Sequence, residues 1–332
     1  MRKRAIAFLL VLPLALGALT GCWEHSHSET YYLISNNMNL PYWQAAIDGF
    51  DNAARQYDVK PVISGPETFD PQAELKALES AVQAKPSGIL ISVADAQLLQ
   101  PEINKAVDAG IPVITFDSDA PYSRRFFFIG TNNRKAGRLG GQRVVDKLGG
   151  KGNVVFFTMP DQPNLEDRLN GYEDVFASHP GIKTADIFNI KGDAGNAFDA
   201  AQNYLALKGP NKIDAFICLE ASSGKAVAEV LKRNNVTDRL LVAMDVDPGT
   251  LKDIKNGVID STIAQKPYTM AFFGLKMLGL IHLYPPKPIL TNYQVNTFSP
   301  YPVFIDTGTA LVDQDNVDFY MQQAAQAKRK GK

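Results

Sequence analysis

Cysteine is nearly missing from this chain: among 332 residues only Cys22 and Cys218 occur. Cys218 lies inside the apolar run Phe216-Ile217-Cys218-Leu219 and reads as a buried, inert thiol. Histidine is scarce as well, with four in all, two of them His25 and His27, and their spacing suggests no metal site. Net charge is only −1, and it moves to near −4 when the first 21 residues, with Arg2, Lys3, Arg4 and no acid, are set aside. Such a balance raises no field to gather phosphates, so nucleic acid is not an expected partner. No G-x-S-x-G elbow, Walker A segment or H-E-x-x-H is present, and no cofactor is expected. Hydrophobic content of 45% excludes a disordered chain, and the length is ample for two domains.

What is present begins at the N-terminus. Met1-Arg2-Lys3-Arg4 precedes an apolar run shorter than the roughly 20 residues that span a bilayer, so residues 1–21 read as a signal peptide. Leu19-Thr20-Gly21-Cys22 resembles the lipobox of bacterial lipoproteins, which implies cleavage before Cys22 and lipidation of that residue. Acyl chains there would attach an otherwise soluble protein to the membrane. Residues 22–29 are then expected to be a lipid-anchored polar tether, and Cys218 is left without a disulfide partner.

Beyond the tether, short β-type runs alternate with segments of helical period. Strands are expected at 31–35, 58–63, 88–93, 111–116 and 126–129, with helices at 41–57, 71–84 and 96–109 between them. Unbroken apolar runs such as Gly88-Ile89-Leu90-Ile91-Ser92-Val93 suit strands covered by helices on both faces of a parallel sheet. The alternation restarts with helix 133–149 and strands at 153–157, 184–189, 215–219, 240–244 and 261–265. Ten or more strands favour two separate cores over one sheet. Ligands of such open sheets sit beyond the carboxyl ends of the strands, so residues just after 35, 116, 219, 244 and 265 are the first candidates for a site. A helix at 267–281, a Pro285-Pro286-Lys287-Pro288 connection, the segment 301–313 and a terminal helix from about Asn316 complete the pattern.

At these strand ends the segments 36–50, 110–121, 128–141, 162–176, 218–231, 241–251 and 259–278 resemble, in family order, the ribose-binding-like periplasmic sugar-binding proteins of ABC importers. The resemblance implies an α/β fold of the periplasmic binding protein type 1 class, two doubly wound parallel-sheet lobes joined by a hinge of three crossings. Residues 30–131 with 266–306 would form the N-terminal lobe, and 132–265 with 307–332 the C-terminal lobe and tail. It further implies a monomer that closes on a monosaccharide or related small polar ligand and presents it to an importer permease.

Carried onto this chain, the family site falls on Asn39, Tyr42, Trp43, Asp117, Asn164, Arg168, Glu220, Asp245 and Gln265. Tyr42 and Trp43 offer aromatic faces for the C–H face of a sugar ring, with core packing as the plainer use of such residues. Asp117 can accept hydrogen bonds from two vicinal hydroxyls, and Arg168 can donate its rigid fork across the cleft. Ser118 stands where the family often has Arg, Leu40 where it has Asn, and Glu220 where Asn is common. Glu220 therefore either contacts the ligand or pairs with Arg168. Tyr268 and Phe128 suit hinge or core packing as readily as ligand contact, while Lys225 and Lys266 read as solvated. A receptor for a sensor kinase or chemoreceptor, or for a polyol or autoinducer, would use the same pocket. A glycosidase would need two carboxyl groups at catalytic separation, which spacing in sequence does not provide.

Overall fold

The computed structural model describes residues 25–160, 162–286 and 292–330. The expected signal peptide, Cys22 and the start of the tether lie outside the described residues, as do Lys287 and Pro288 of the proline-rich connection.

In chain order the first elements are β1 (Thr30–Ile34), α1 (Pro41–Tyr57), β2 (Lys60–Ser64), α2 (Pro71–Ala84), β3 (Gly88–Ile91), α3 (Ala96–Asp108), β4 (Val113–Phe116) and β5 (Phe128–Gly130). Then follow α4 (Asn133–Leu148), β6 (Gly152–Thr158), α5 (Pro163–Phe176), β7 (Ile182–Asn189), α6 (Ala194–Ala206), β8 (Ala215–Cys218), α7 (Ser223–Arg233), β9 (Leu240–Met244), α8 (Pro248–Lys255) and β10 (Ser261–Ala264). The chain ends with α9 (Pro267–Leu283), β11 (Phe304–Asp306), β12 (Ala310–Asp313) and α10 (Val317–Lys330).

Two six-stranded sheets result, ordered β11-β5-β4-β3-β1-β2 and β12-β10-β9-β8-β6-β7. The two orders are the same arrangement repeated, with β1 matching β6 and β4 matching β9. Every residue of β3, β4 and β8 is buried, because helices cover both faces of each sheet. In the first sheet Phe50, Leu275 and Leu278 fill one face and Leu78, Leu99 and Ile103 the other. The second sheet departs from an all-parallel design at one edge, where β12 runs antiparallel to β10. The chain leaves β11 in the first sheet and turns within three residues, 307–309, into the edge of the second, so it enters beside the end of β10.

Several helices start on proline, where a missing N–H is harmless: Pro41, Pro71, Pro163, Pro248 and Pro267. Asp70 caps α2 through the N–H groups of Gln72 and Ala73, both at 3.0 Å. The chain passes between sheets at 131–132, 265–266 and 307–309. These passages are tied together: Asn132 N–H donates to Asp306 Oδ1 at 3.2 Å, Thr307 N–H to the Gly130 carbonyl at 2.8 Å, and Thr309 Oγ1 to the Ala264 carbonyl at 2.8 Å.

The expected polar tether is packed over its described part. His25 stacks on Tyr57, with ring centroids 4.0 Å apart, and its Nδ1 lies 2.8 Å from Glu29 Oε2. Glu29 also accepts from the Ser26 N–H and the Tyr31 hydroxyl, each at 2.7 Å. These groups satisfy one another against the end of the lobe. Among the described residues no helix is long and apolar enough to cross a membrane.

Candidate ligand-binding cleft

The carboxyl ends of the strands in both sheets face one cleft, which holds a cavity of about 70 Å³. Eight of the nine expected site residues line it: Tyr42, Trp43, Asp117, Asn164, Arg168, Glu220, Asp245 and Gln265. Asn39 does not; it is exposed and lies outside the lining, its backbone N–H bonded to the Glu67 carbonyl at 3.2 Å. Asn36 and Asn37 stand in the lining instead, directly after β1, together with Gln162 and Ser222. A larger hollow of about 1060 Å³ opens at the other end of the second sheet, where Arg143, Lys147 and Arg239 pair with Asp260, Asp313 and Asp238. That hollow is lined from the second lobe alone, whereas the small cleft gathers groups from both lobes.

On the first lobe, Tyr42 sits in the opening turn of α1 and donates its hydroxyl hydrogen to Asp117 Oδ1 at 2.5 Å. Ser92 donates to the other oxygen at 3.3 Å. Burial pushes the Asp117 carboxyl up from its ordinary value, offset by the charge of Arg168 and by these two hydroxyls. Trp43 packs edge-on against Tyr42 and Phe116, at centroid distances of 5.1 and 5.7 Å, so it belongs to the core as well as to the cavity wall. Its indole N–H has no protein acceptor among the described residues.

On the second lobe, Arg168 is buried and held in place by three acceptors. Nε donates to Asn133 Oδ1 at 2.8 Å, Nη1 to the Leu219 carbonyl at 2.7 Å and Nη2 to Gln265 Oε1 at 2.9 Å. A guanidinium has five N–H groups, so two remain beside the cavity. Gln265 passes the chain of bonds on, its amide donating to Asp245 Oδ1 at 2.9 Å. Close packing of α4 on α5 sets the position of Arg168. A Cβ on Gly137 would meet the Arg168 carbonyl at 2.0 Å, and one on Gly171 the Arg134 carbonyl at 2.2 Å, so both positions require glycine.

Burial pushes Asp245 up to about 7; Arg168 and Gln265 oppose the rise, while Asp117 and Glu220 add to it. Asn164 is buried, and its Oδ1 has no partner among the described residues. An unmet buried acceptor costs about 1–3 kcal/mol, which a ligand hydroxyl would recover.

Glu220 lines the cavity but is not paired with Arg168. Both its oxygens are occupied at the start of α7: Oε2 accepts from the Ser222 N–H at 2.6 Å and hydroxyl at 2.7 Å, and Oε1 from the Ser223 N–H at 2.7 Å and its hydroxyl. The acid caps a helix whose own cap position, Ser222, makes no such bond. Tyr268 bonds Asn52 and stacks on Phe272, Phe128 stacks on Phe304, and Lys225 pairs with Asp247 at 3.5 Å; none lines the cavity. Among the described residues no cluster of His, Cys, Asp and Glu is arranged to hold a metal ion.

A family model described as a periplasmic binding protein domain matches residues 31–281. The structure of a sugar ABC transporter sugar-binding protein from Bacillus halodurans superposes with a TM-score of 0.76 at 32% identity, over 88% of this chain and 100% of that one. AraP, an arabinose-binding protein from Geobacillus stearothermophilus, does so with a TM-score of 0.73 at 31% identity, over 88% and 99%. The xylose/arabinose-binding protein XylF of Sulfolobus acidocaldarius is 24% identical over 298 residues, 85% of this chain and 70% of that protein.

Proposed function

The chain belongs to the periplasmic binding protein family, and from that premise we propose that it captures a monosaccharide between its lobes and delivers it to an ABC importer as a lipoprotein anchored through Cys22. It is a binding protein and not an enzyme. The observation that carries the reading is the meeting, around one cavity, of acceptors and donors from both lobes: Asp117 with Tyr42 on one side, Arg168 with Gln265 and Asp245 on the other.

The chemistry suits a neutral, hydroxyl-rich solute. Carboxylates at Asp117 and Asp245 accept from hydroxyls, the two spare N–H groups of Arg168 donate to ring or hydroxyl oxygens, and Asn164 Oδ1 waits for a donor. Tyr42 and Trp43 supply the apolar wall for a ring face. Similarity to sugar- and arabinose-binding proteins agrees with this class of ligand. The moving bodies of the proposal are residues 30–131 with 266–306 and residues 132–265 with 307 onward, swinging about the three tied passages.

Export follows from the same reading: residues 1–21 direct the chain across the membrane, and acylation of Cys22 keeps it at the cell envelope, where a permease receives the closed form. A calorimetric and thermal-shift screen of the mature protein against pentoses, hexoses, polyols and amino sugars tests it. One monosaccharide is expected to raise the unfolding midpoint of the wild type and to lose most of its effect in Asp117→Ala and Arg168→Met. Full affinity in both variants would refute the cleft assignment.

A further inference from the structure

The first described residue, His25, is seated in the end of the first lobe far from the cleft. Its ring stacks on Tyr57 at the end of α1 and reaches α9, where a Cβ on Gly279 would come within 2.8 Å of it. Glu29, only 8% exposed, clamps the turn through His25, the Ser26 N–H and Tyr31, with His282 Nε2 3.9 Å away. Residues 25–29 are therefore a docked leader, not a swivel.

Only Trp23 and Glu24 separate this seat from Cys22. Even fully extended, that stretch places the Cα of Cys22 no more than about 11 Å from that of His25. Acyl chains on Cys22 must lie in the bilayer, so the surface around His25 is held at headgroup depth. That surface has the matching chemistry. The last turn of α9 carries Leu280, and Tyr284 follows its end, 44% and 60% exposed, while Lys60 and Lys85 are exposed at the same end of the sheet. Tyrosine and leucine enter the interface as lysines meet anionic headgroups.

We infer that the strand-N-terminal end of the first lobe rests on the lipid bilayer, with Leu280 and Tyr284 in the headgroup layer and the ligand cleft, beyond the far ends of the strands, turned away from it. The inference rests on the lipoprotein reading of Cys22. Handing ligand to a partner in the membrane then requires the leader to leave its seat, which frees residues 23–29 and supplies about 24 Å of slack.

The test uses the full acylated protein on vesicles of phosphatidylethanolamine and phosphatidylglycerol. Tyr284→Cys and Glu67→Cys, the latter exposed at the cleft end, carry a spin label, since Cys218 is buried. Relaxation by lipid-soluble oxygen should be several-fold stronger at 284 than at 67, and the reverse should hold for a water-soluble nickel chelate. His25→Ala with Glu29→Ala should remove the difference while the protein still floats with the vesicles. Equal water exposure of both labels on floated protein overturns the inference and leaves the Cys22 reading standing. Failure of the wild type to float, with unmodified Cys22 by mass spectrometry, overturns both.

Discussion

Asp117 and Asp245 occupy equivalent places in the two lobes. Each lies one residue past a central strand, β4 or β9, with φ of 60° and 68°, and each donates its N–H to an isoleucine carbonyl of the next strand, Ile129 at 3.1 Å and Ile263 at 2.9 Å. Left-handed backbone is uncommon outside glycine, and aspartate tolerates it better than most residues. The repeated turn aims two carboxylates at one cavity.

That convergence sets a pH dependence. Asp245 is raised to about 7 from an ordinary 3.8, so between these values the folded protein holds a proton that the unfolded chain releases. Stability of the ligand-free protein therefore falls as pH rises through that window, and Asp245→Asn flattens the fall, read from thermal midpoints at a series of pH values. Hydroxyl binding needs the ionised acid, so affinity should rise with pH toward neutrality. Calorimetry near pH 6 in buffers of different ionisation heats should show proton release on binding by the wild type and less by the variant.

Tyr42→Phe removes the hydrogen bond to Asp117 and little volume. A bond to a charged acceptor is worth about 1.5–3 kcal/mol, and this one is made in the ligand-free protein, so stability should fall by about that much in a denaturant titration. The fold should be kept, as an unchanged circular dichroism spectrum would show.

Glu220 distinguishes a cap from a ligand contact. Glu220→Ala strands the N–H groups of Ser222 and Ser223 and should cost about 0.5–2 kcal/mol of stability by denaturant titration. Affinity of the folded protein should change little. A large loss of affinity at unchanged stability would reverse that assignment.

Much of this fold was legible in the sequence because local rules agreed with the global one. Helices at 41–57 and 71–84 begin on proline and end where Asp58 and Lys85 turn left-handed, and the unbroken apolar runs at 88–93 and 111–116 suited covered strands. The strand-end rule pointed to residues just after 35, where Asn36 and Asn37 line the cavity, whereas motif matching drew attention to Asn39, which does not. What was not legible depends on contacts distant in sequence. Asn133 bonds Arg168 across 35 residues, and no local pattern marks it. Glu220 looked available because its partners are two serines that composition leaves unremarkable. The packing of 25–29 was not legible because the groups it meets, Tyr57 and Gly279, lie far along the chain.

Small-angle X-ray scattering with and without the tightest monosaccharide tests the central claim most directly. Closure about the tied passages at 131–132, 265–266 and 307–309 predicts a smaller radius of gyration at saturation for the wild type and no change for Asp117→Ala at the same sugar concentration. An unchanged radius at saturation, with the sugar found outside the space between the lobes, would contradict it.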